Sequence, residues 1–379
     1  MLSCPAFLVA APASGQGKTT VVAALARLHT RLGRKVRVFK CGPDFLDPQI
    51  HAIASNAPCQ NVDLWMCGEA DIAWRLAEAA RTADLILIEG VMGLFDGSPS
   101  AADLAHQLGI PILAVIDGAS MANSFGAIAY GLKHYRPGTP LNAAFANRVG
   151  SAYHAELLEK SLPPDIAWYG HLPRDVDAAM PERHLGLLPA AEIEDLAQRI
   201  DRMADLLATT AAAQLPPPVK FAEAQPLDLP RLLQGKTIAV ARDAAFCFLY
   251  PANVECLEML GAKLVYFSPL ADSTLPSCNA VWFPGDPPTD RGSSPLDSAE
   301  RIRLPAIHQQ PPHIPLCFST SRAKSDQVLS SRGFTMKSDI RLLLAHILEE
   351  ITLTSRPTIN YTEIPHRINS TPALLSPTP

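Results

Sequence analysis

The chain has 379 residues, enough for two domains that each bury a core of their own. Its formal net charge of -5, without a basic run, argues against nucleic acid as a partner. Eight cysteines scattered without C-x-x-C pairs form neither a disulfide framework nor a zinc ribbon and fit a reducing cytosol. Apolar runs all stay below about 18 residues, so no membrane span is predicted, and the expected location is cytoplasmic.

Residues 7–20 read FLVAAPASGQGKTT, with an apolar run at Phe7–Ala11 of buried-strand character. The turn Ser14-Gly15-Gln16-Gly17-Lys18-Thr19-Thr20 leads into VVAALARLHTRL, whose spacing is helical. Strand, glycine-rich turn, Gly-Lys-Thr and helix together are the context of a phosphate-binding loop. Backbone amides there converge on phosphate and the helix N-terminus adds partial positive charge. Lys18 suits the β- and γ-phosphates, and the Thr19 hydroxyl suits Mg²⁺. Pro12 stands where the general pattern has its first glycine. The reading is a nucleoside-triphosphate site.

Further short apolar runs at 35–40, 85–89, 112–117 and 141–147 alternate with helical segments such as 71–82 and 120–134. This rhythm predicts an α/β fold with a doubly wound, mostly parallel sheet over residues 1–213. Ligands of such sheets gather at the carboxyl ends of the strands, so the residues after each strand carry most weight.

After the second strand comes KCGPDFLDPQIH, where Asp44 and Asp47 suit Mg²⁺ or a second substrate; a solvated Asp- and Pro-rich turn would read the same way. The third strand closes on Glu89 and runs into GVMGLFDG. Glu89 suits a carboxylate facing the phosphate loop, with a strand-end charge as the bland alternative, and Asp96 suits substrate handling. Asp117 ends the next strand in either a cap or a site role. Asn147 suits an adenine edge or a turn, and Arg183, beside Glu182 and His184, suits an anionic ligand or a surface ion pair. Cys4, Cys41, Cys59 and Cys67 read as core thiols, and Trp65 and Met66 as packing residues.

Residues 190–213 read as one or two helices, and 214–235 as a proline-rich linker. A second α/β unit opens with TIAVA at 237–241, a helix over 252–260 and strands at 263–267 and 281–283. Beyond Gly285 the composition changes. Of 21 glycines only Gly292 and Gly333 lie there, while prolines, serines and threonines crowd in. Residues 286–379 therefore read as an irregular tail without a core, with one helix over 338–351.

Taken in order, APASGQGKTT, KCGPDFLDPQIH, NVDLWM, IEGVMGLFDG, ANRVGSAYHAELL, LPRDVDAAMPERHLGL and IAVARDAAFCFLYPANVECLEMLGAKLVYFSPLADSTLP resemble the cobyrinic acid a,c-diamide synthase family, over residues 1 to about 285. The resemblance implies a dethiobiotin-synthetase-like amidoligase domain followed by a class I glutamine amidotransferase-like domain, here confined to residues 236–285. It implies ATP and Mg²⁺ as cofactors, and a corrinoid whose a- and c-acetate carboxylates are amidated through acyl phosphates. Glutamine or ammonia would supply nitrogen, and the expected assembly is a homodimer. By the same resemblance Ser14, Gly15, Gly17, Lys18, Thr19 and Thr20 hold nucleotide, with Asn147 at the adenine. Thr19, Asp44 and Glu89 would hold the metal. Lys18, Asp47 and Asp96 would be catalytic, and Asp44, Leu46, Asp47, Asp96 and Arg183 would meet substrate. A related amidase of another tetrapyrrole, such as a nickel-sirohydrochlorin, and a non-catalytic partitioning-type ATP-binding protein are the alternatives.

The resemblance stops where the composition changes. The family's nucleophilic Cys stands in an elbow flanked by glycines, whereas Cys317 stands in IPLCFSTS, whose bulky neighbours do not suit such a turn. The glutaminase nucleophile is therefore assigned to no residue, and ammonia is the expected donor. The abrupt change reads as a shift of reading frame after Gly285, with divergence into an interaction segment as the alternative.

Overall fold

The computed structural model describes residues 1–180, 182–183, 186–187, 189–243, 246–284 and 316–318. In chain order the first unit comprises β1 (Leu2–Ala10), α1 (Lys18–Arg31), β2 (Val36–Lys40), α2 (Asp47–Ser55), β3 (Gln60–Asn61), α3 (Glu69–Thr82), β4 (Leu85–Glu89) and α4 (Ala101–Leu108). It continues with β5 (Ile112–Asp117), α5 (Ser124–His134), β6 (Leu141–Val149), α6 (Ala152–Ser161), β7 (Ala167–Pro173), a small hairpin of β8 (Glu182–Arg183) and β9 (Gly186–Leu187), and α7 (Leu196–Leu207). Residues 190–213 thus hold one α-helix flanked by two short 3-10 turns.

Seven strands run in the order β3-β2-β4-β1-β5-β6-β7, all parallel. β4 and β5 are buried at nearly every position, as expected of β-branched runs covered by helices on both faces. One core packs on each face: Leu8, Phe39, Ile86 and Ile116 line one, and Val9, Val38, Leu87 and Phe145 the other. The chain leaves β1 for β2 on one side and later reaches β5 on the other, so the loop after β1 lies at the switch point.

Part of the proline-rich linker is ordered into this sheet. β10 (Pro218–Phe221) runs antiparallel to Leu2–Pro5 of β1. Extended proline-containing chain is tolerated at such an edge because few of its amides are needed.

The second unit has β11 (Thr237–Ala241), α8 (Pro251–Met259), β12 (Lys263–Phe267), β13 (Ala280–Phe283) and β14 (Leu316–Phe318), in the parallel order β12-β11-β13-β14. Within the residues read as an irregular tail, 316–318 pair with β13, Cys317 opposite Trp282. The helix expected over 338–351, His184 and Gly285 lie outside the described residues. Among the described residues no helix is long and apolar enough to cross a membrane.

Candidate functional site

Parallel register builds the site. Val9 of β1 and Lys40 of β2 are both neighbours of Glu89 on β4, so three strand ends stop at one level and their loops share one edge. Gly15 and Gly17 in the loop after β1 have φ of +76° and +89°, which side chains resist. A Cβ on Gly17 would also come within 2.0 Å of the Asn147 Nδ2. The loop is thus shaped by glycine where it turns into α1, and Ser14 and Gly15 are exposed at its tip.

Lys18 is buried at the start of α1, and its Nζ donates to the carbonyls of Met92 (2.6 Å) and Ala13 (3.3 Å). Met92 has φ +51°, in the left-handed region that a side-chain-bearing residue seldom adopts. Burial pushes the Lys18 ammonium below its ordinary range, against the pull of Glu89. The loop carrying Met92 is tied to the phosphate loop by the amides of Gly90 and Leu94, which donate to Val9 and Ala11. Asp96 is exposed in the same loop and accepts from the Gly93 amide at 3.0 Å.

Glu89 is almost fully buried, with every carboxylate oxygen engaged. Oε1 accepts from the Thr19 hydroxyl at 2.9 Å and from Lys40 Nζ at 2.9 Å, and Oε2 meets His51 Nε2. Burial alone would raise this carboxyl, but the Lys40 charge and the His51 contact hold it well below the usual carboxylate range. Lys40 also binds Asp47 at 2.7 Å and lies 3.8 Å from Asp44. Although burial disfavours its charge, the three carboxylates raise the ammonium above its ordinary range. Asp47 and His51 are four residues apart, so one face of α2 presents both to β2 and β4.

Asp47 is the surplus carboxylate of this group. Burial and the charges of Glu89 and Asp44 outweigh Lys40 and push it up to about 8. Folding therefore favours its protonated form, and the stability it contributes is full at acid pH and lost as pH rises through about 8. Asp47→Asn, which keeps the shape of the protonated acid, is expected to gain stability relative to the wild type as pH rises from about 4 to 8. Urea denaturation over that range checks it; a relative stability that falls with pH would be the wrong sign.

Thr19 and Glu89 offer a hydroxyl and a carboxylate side by side, hard oxygen donors that fit Mg²⁺, which commonly keeps several waters and phosphate oxygens as its other ligands. Asp44 fits less directly. Its Oδ1 accepts from the Leu46 and Asp47 amides, shaping the turn into α2. Among the described residues no group of three or more His, Cys, Asp or Glu side chains is arranged to hold a metal by itself.

Asn147 is buried beneath the phosphate loop and donates through Nδ2 to the Gln16 carbonyl at 3.0 Å. Asp117 accepts from Arg148 at 2.7 Å, and Arg148, with φ +59°, reaches the Gly15 carbonyl as well. Thr20 lies half-buried in the first turn of α1. Arg183 falls on β8, and its side chain lies outside the described residues. The four cysteines named above are buried, and burial raises their thiols, Cys41 to about 12. Met66 packs as expected, but Trp65 does not: it is 52% exposed, because its backbone caps the Asp63 turn with the ring pointing outward.

Lys40, His51 and Arg148 were not singled out from the sequence. His51 had a readable signal: Asp47-Pro48 is a helix start, which places a residue four positions later on the same face.

Residues 7–188 match the CobQ/CobB/MinD/ParA nucleotide binding domain, so the loop after β1 sits in a nucleotide-binding domain. The chain is 59% identical to a hydrogenobyrinate a,c-diamide synthase of Stutzerimonas stutzeri over 286 residues, 76% of this chain and 66% of that protein. It is 46% identical to a cobyrinate a,c-diamide synthase of Herminiimonas arsenicoxydans, across 78% of this chain and 67% of the relative. A hydrogenobyrinate a,c-diamide synthase of Agrobacterium fabrum is 38% identical, with 76% and 68% covered. The chain thus spans slightly less than two thirds of the first of these relatives, 66% of its length. With the ordered motifs, the strand-end site and these likenesses in agreement, the chain belongs to the cobyrinate and hydrogenobyrinate a,c-diamide synthase family.

Proposed function

We propose that the chain uses ATP to amidate the a- and c-acetate carboxylates of cobyrinic or hydrogenobyrinic acid, as a cytoplasmic enzyme of cobalamin biosynthesis. The observation that carries this reading is the shared edge. Thr19, next to Lys18 in the phosphate loop, bonds Glu89, and Glu89 lies against Lys40, which holds Asp47, so a triphosphate and a carboxylate substrate would meet there. The names of the relatives supply the substrate class.

A carboxylate is a poor acyl donor. In the proposed sequence a substrate carboxylate oxygen attacks the γ-phosphorus and ADP departs. Ammonia then attacks the acyl carbon and phosphate leaves with the electron pair of the broken C–O bond. Lys18 would balance charge on the transferring phosphoryl group, where preorganised cations act most strongly. Ser14, Gly15, Gly17 and Thr20 would cradle phosphates, and Asn147 would hold the loop beside the adenine. Mg²⁺, on Thr19 and Glu89 with Asp44 near, would neutralise phosphate charge. Asp47 and Asp96 would orient the substrate carboxylate, with Leu46 and Arg183 at its margin. Lys40 and a protonated Asp47 would spare the incoming carboxylate a repulsive neighbour.

In this reading residues 1–213 are the amidoligase, 236–285 the first part of an amidotransferase-like domain, and 214–235 the linker, partly drawn into the first sheet. Glutamine is the nitrogen source of the family, but free ammonia is the donor proposed here. Cys317 lies within β14 instead of on a turn after it, which supports leaving the glutaminase nucleophile unassigned.

The test is ADP release by a glutaminase-free preparation, with cobyrinic acid, hydrogenobyrinic acid or nickel-sirohydrochlorin, and with ammonium or glutamine as donor. The expected result is turnover that requires a corrinoid and ammonium. Equal turnover with glutamine overturns the donor assignment, and ADP release indifferent to all three tetrapyrroles overturns the function.

A further inference from the structure

The acidic turn between β2 and α2 is held from outside its own unit. Phe45 stands between Asp44 and Asp47, and its ring stacks on two aromatic rings of the second unit. The centroid of Phe248 is 4.8 Å away with planes 2° apart, and that of Tyr250 is 4.1 Å away with planes 27° apart. Phe248 and Tyr250 are both buried, and Tyr250 packs into the core of the first sheet although it belongs to the segment leading into α8.

A second anchor lies alongside. Glu255 on α8 accepts from Arg75 of α3 at 2.7 Å and from Gln60 of β3 at 3.4 Å, while Asp71 holds the same guanidinium at 2.8 Å. β3 flanks β2 in the sheet, so both anchors grip the region around one loop. On its inner side the loop is held by Asp44 Oδ1, which accepts from the Leu46 and Asp47 amides. The Phe45 ring is the outer support. Without it, the turn between Pro43 and Pro48 would rest on polar contacts alone: the hydrogen bonds of the Asp44, Gln49 and Asn61 side chains and the contact of Lys40 with Asp47.

We propose that Phe248 and Tyr250 are positioning residues of the carboxylate-activation site: the second unit sets the Asp44–Asp47 turn for substrate, a task separate from any release of ammonia. The substrate part of this inference rests on the proposed function, whereas the ordering of the loop does not. Stacked aromatic pairs resist tilting and sliding, so they fix orientation as well as distance. That suits a turn whose two acids must face Lys40 and the substrate together.

The experiment compares Phe248→Ala, Phe248→Tyr and Phe45→Leu in the full chain. Amide exchange over residues 42–47 is followed by mass spectrometry, with ATP affinity and corrinoid kinetics measured in parallel. Phe248→Ala is expected to speed exchange of the Leu46 and Asp47 amides about two- to tenfold and to raise the corrinoid KM by a similar factor, the range that one lost aromatic stack supports. ATP affinity should stay within about twofold. Phe248→Tyr should restore both readouts, and Phe45→Leu should repeat the alanine effect from the other side, which also serves if the alanine variant fails to fold. Unchanged exchange at 42–47 in either ring-deleting variant overturns the proposal, as does an ATP affinity that falls in step with the corrinoid KM. Should wild-type protein show no corrinoid-dependent ADP release, the functional reading fails while the exchange data still decide whether the rings hold the turn.

Discussion

Lys40→Met is expected to destabilise the protein by about 3–5 kcal/mol at neutral pH, because it leaves the buried Glu89 carboxylate without its cation. Both Lys40 and Glu89 are nearly inaccessible, at 3% and 1% exposure, so water cannot take over the role of the ammonium. The Thr19 hydroxyl and His51 remain, but together they do not replace a full charge. The loss should shrink in acid, and the sign follows from Glu89. Its folded carboxyl is held below the unfolded one, so its stabilisation is present above the ordinary carboxylate range and lost as pH falls through the folded value. The variant has already forfeited that term, and its deficit should narrow as the wild type loses it too. Lys40, raised above its ordinary range, contributes fully below the unfolded lysine value and loses its share only at higher pH. Urea denaturation at pH 7 and pH 4 measures both points. The double variant Lys40→Met, Glu89→Gln should recover much of the loss, since removing both members of a buried pair spares the orphan charge. A deficit below about 1 kcal/mol at pH 7 would mean that the cluster is screened like a surface pair.

Lys18→Met is expected to lower corrinoid-dependent ADP release by about 10²–10³-fold, the loss typical of removing one preorganised donor from developing charge. Methionine keeps much of the unbranched stem, so its packing at the start of α1 is largely preserved. Among the described residues the Lys18 Nζ holds only backbone carbonyls, those of Met92 and Ala13, so folding should suffer less than with Lys40→Met. Steady-state ADP release and thermal unfolding, measured on the same preparation, separate the two effects. Turnover within tenfold of wild type would remove Lys18 from the phosphoryl-transfer step.

Much of the scaffold is visible in local pattern. β4, β5, β11 and β12 occupy the residues expected of them, since a run such as LILIE has no other way to bury its side chains. α2 is less visible. Its first residues sit in KCGPDFLDPQIH, where prolines and aspartates suggest a turn until Asp47-Pro48 is taken as a helix start. Lys40 could not be paired from the sequence, because its partners come from α2 and from a strand 49 residues further on, and only register brings Glu89 beside it. Trp65 misleads in the opposite direction: a tryptophan in an apolar stretch suggests core, yet the Asp63 turn leaves it facing outward. The aromatic stack on Phe45 is equally illegible, being a contact between units some 200 residues apart.

The return of Pro218–Phe221 to the first strand bears on where the chain could be divided. Leu2–Pro5 bond to that returning segment, and the amino terminus itself reaches Glu223 at 3.1 Å. A cut at residue 213, where the helices end, would strip those four residues of their partner and bare a length of edge backbone. A cut after Glu223 would keep the seam closed. Fission of the gene, in evolution or in the laboratory, should therefore carry the returning strand with the upstream product.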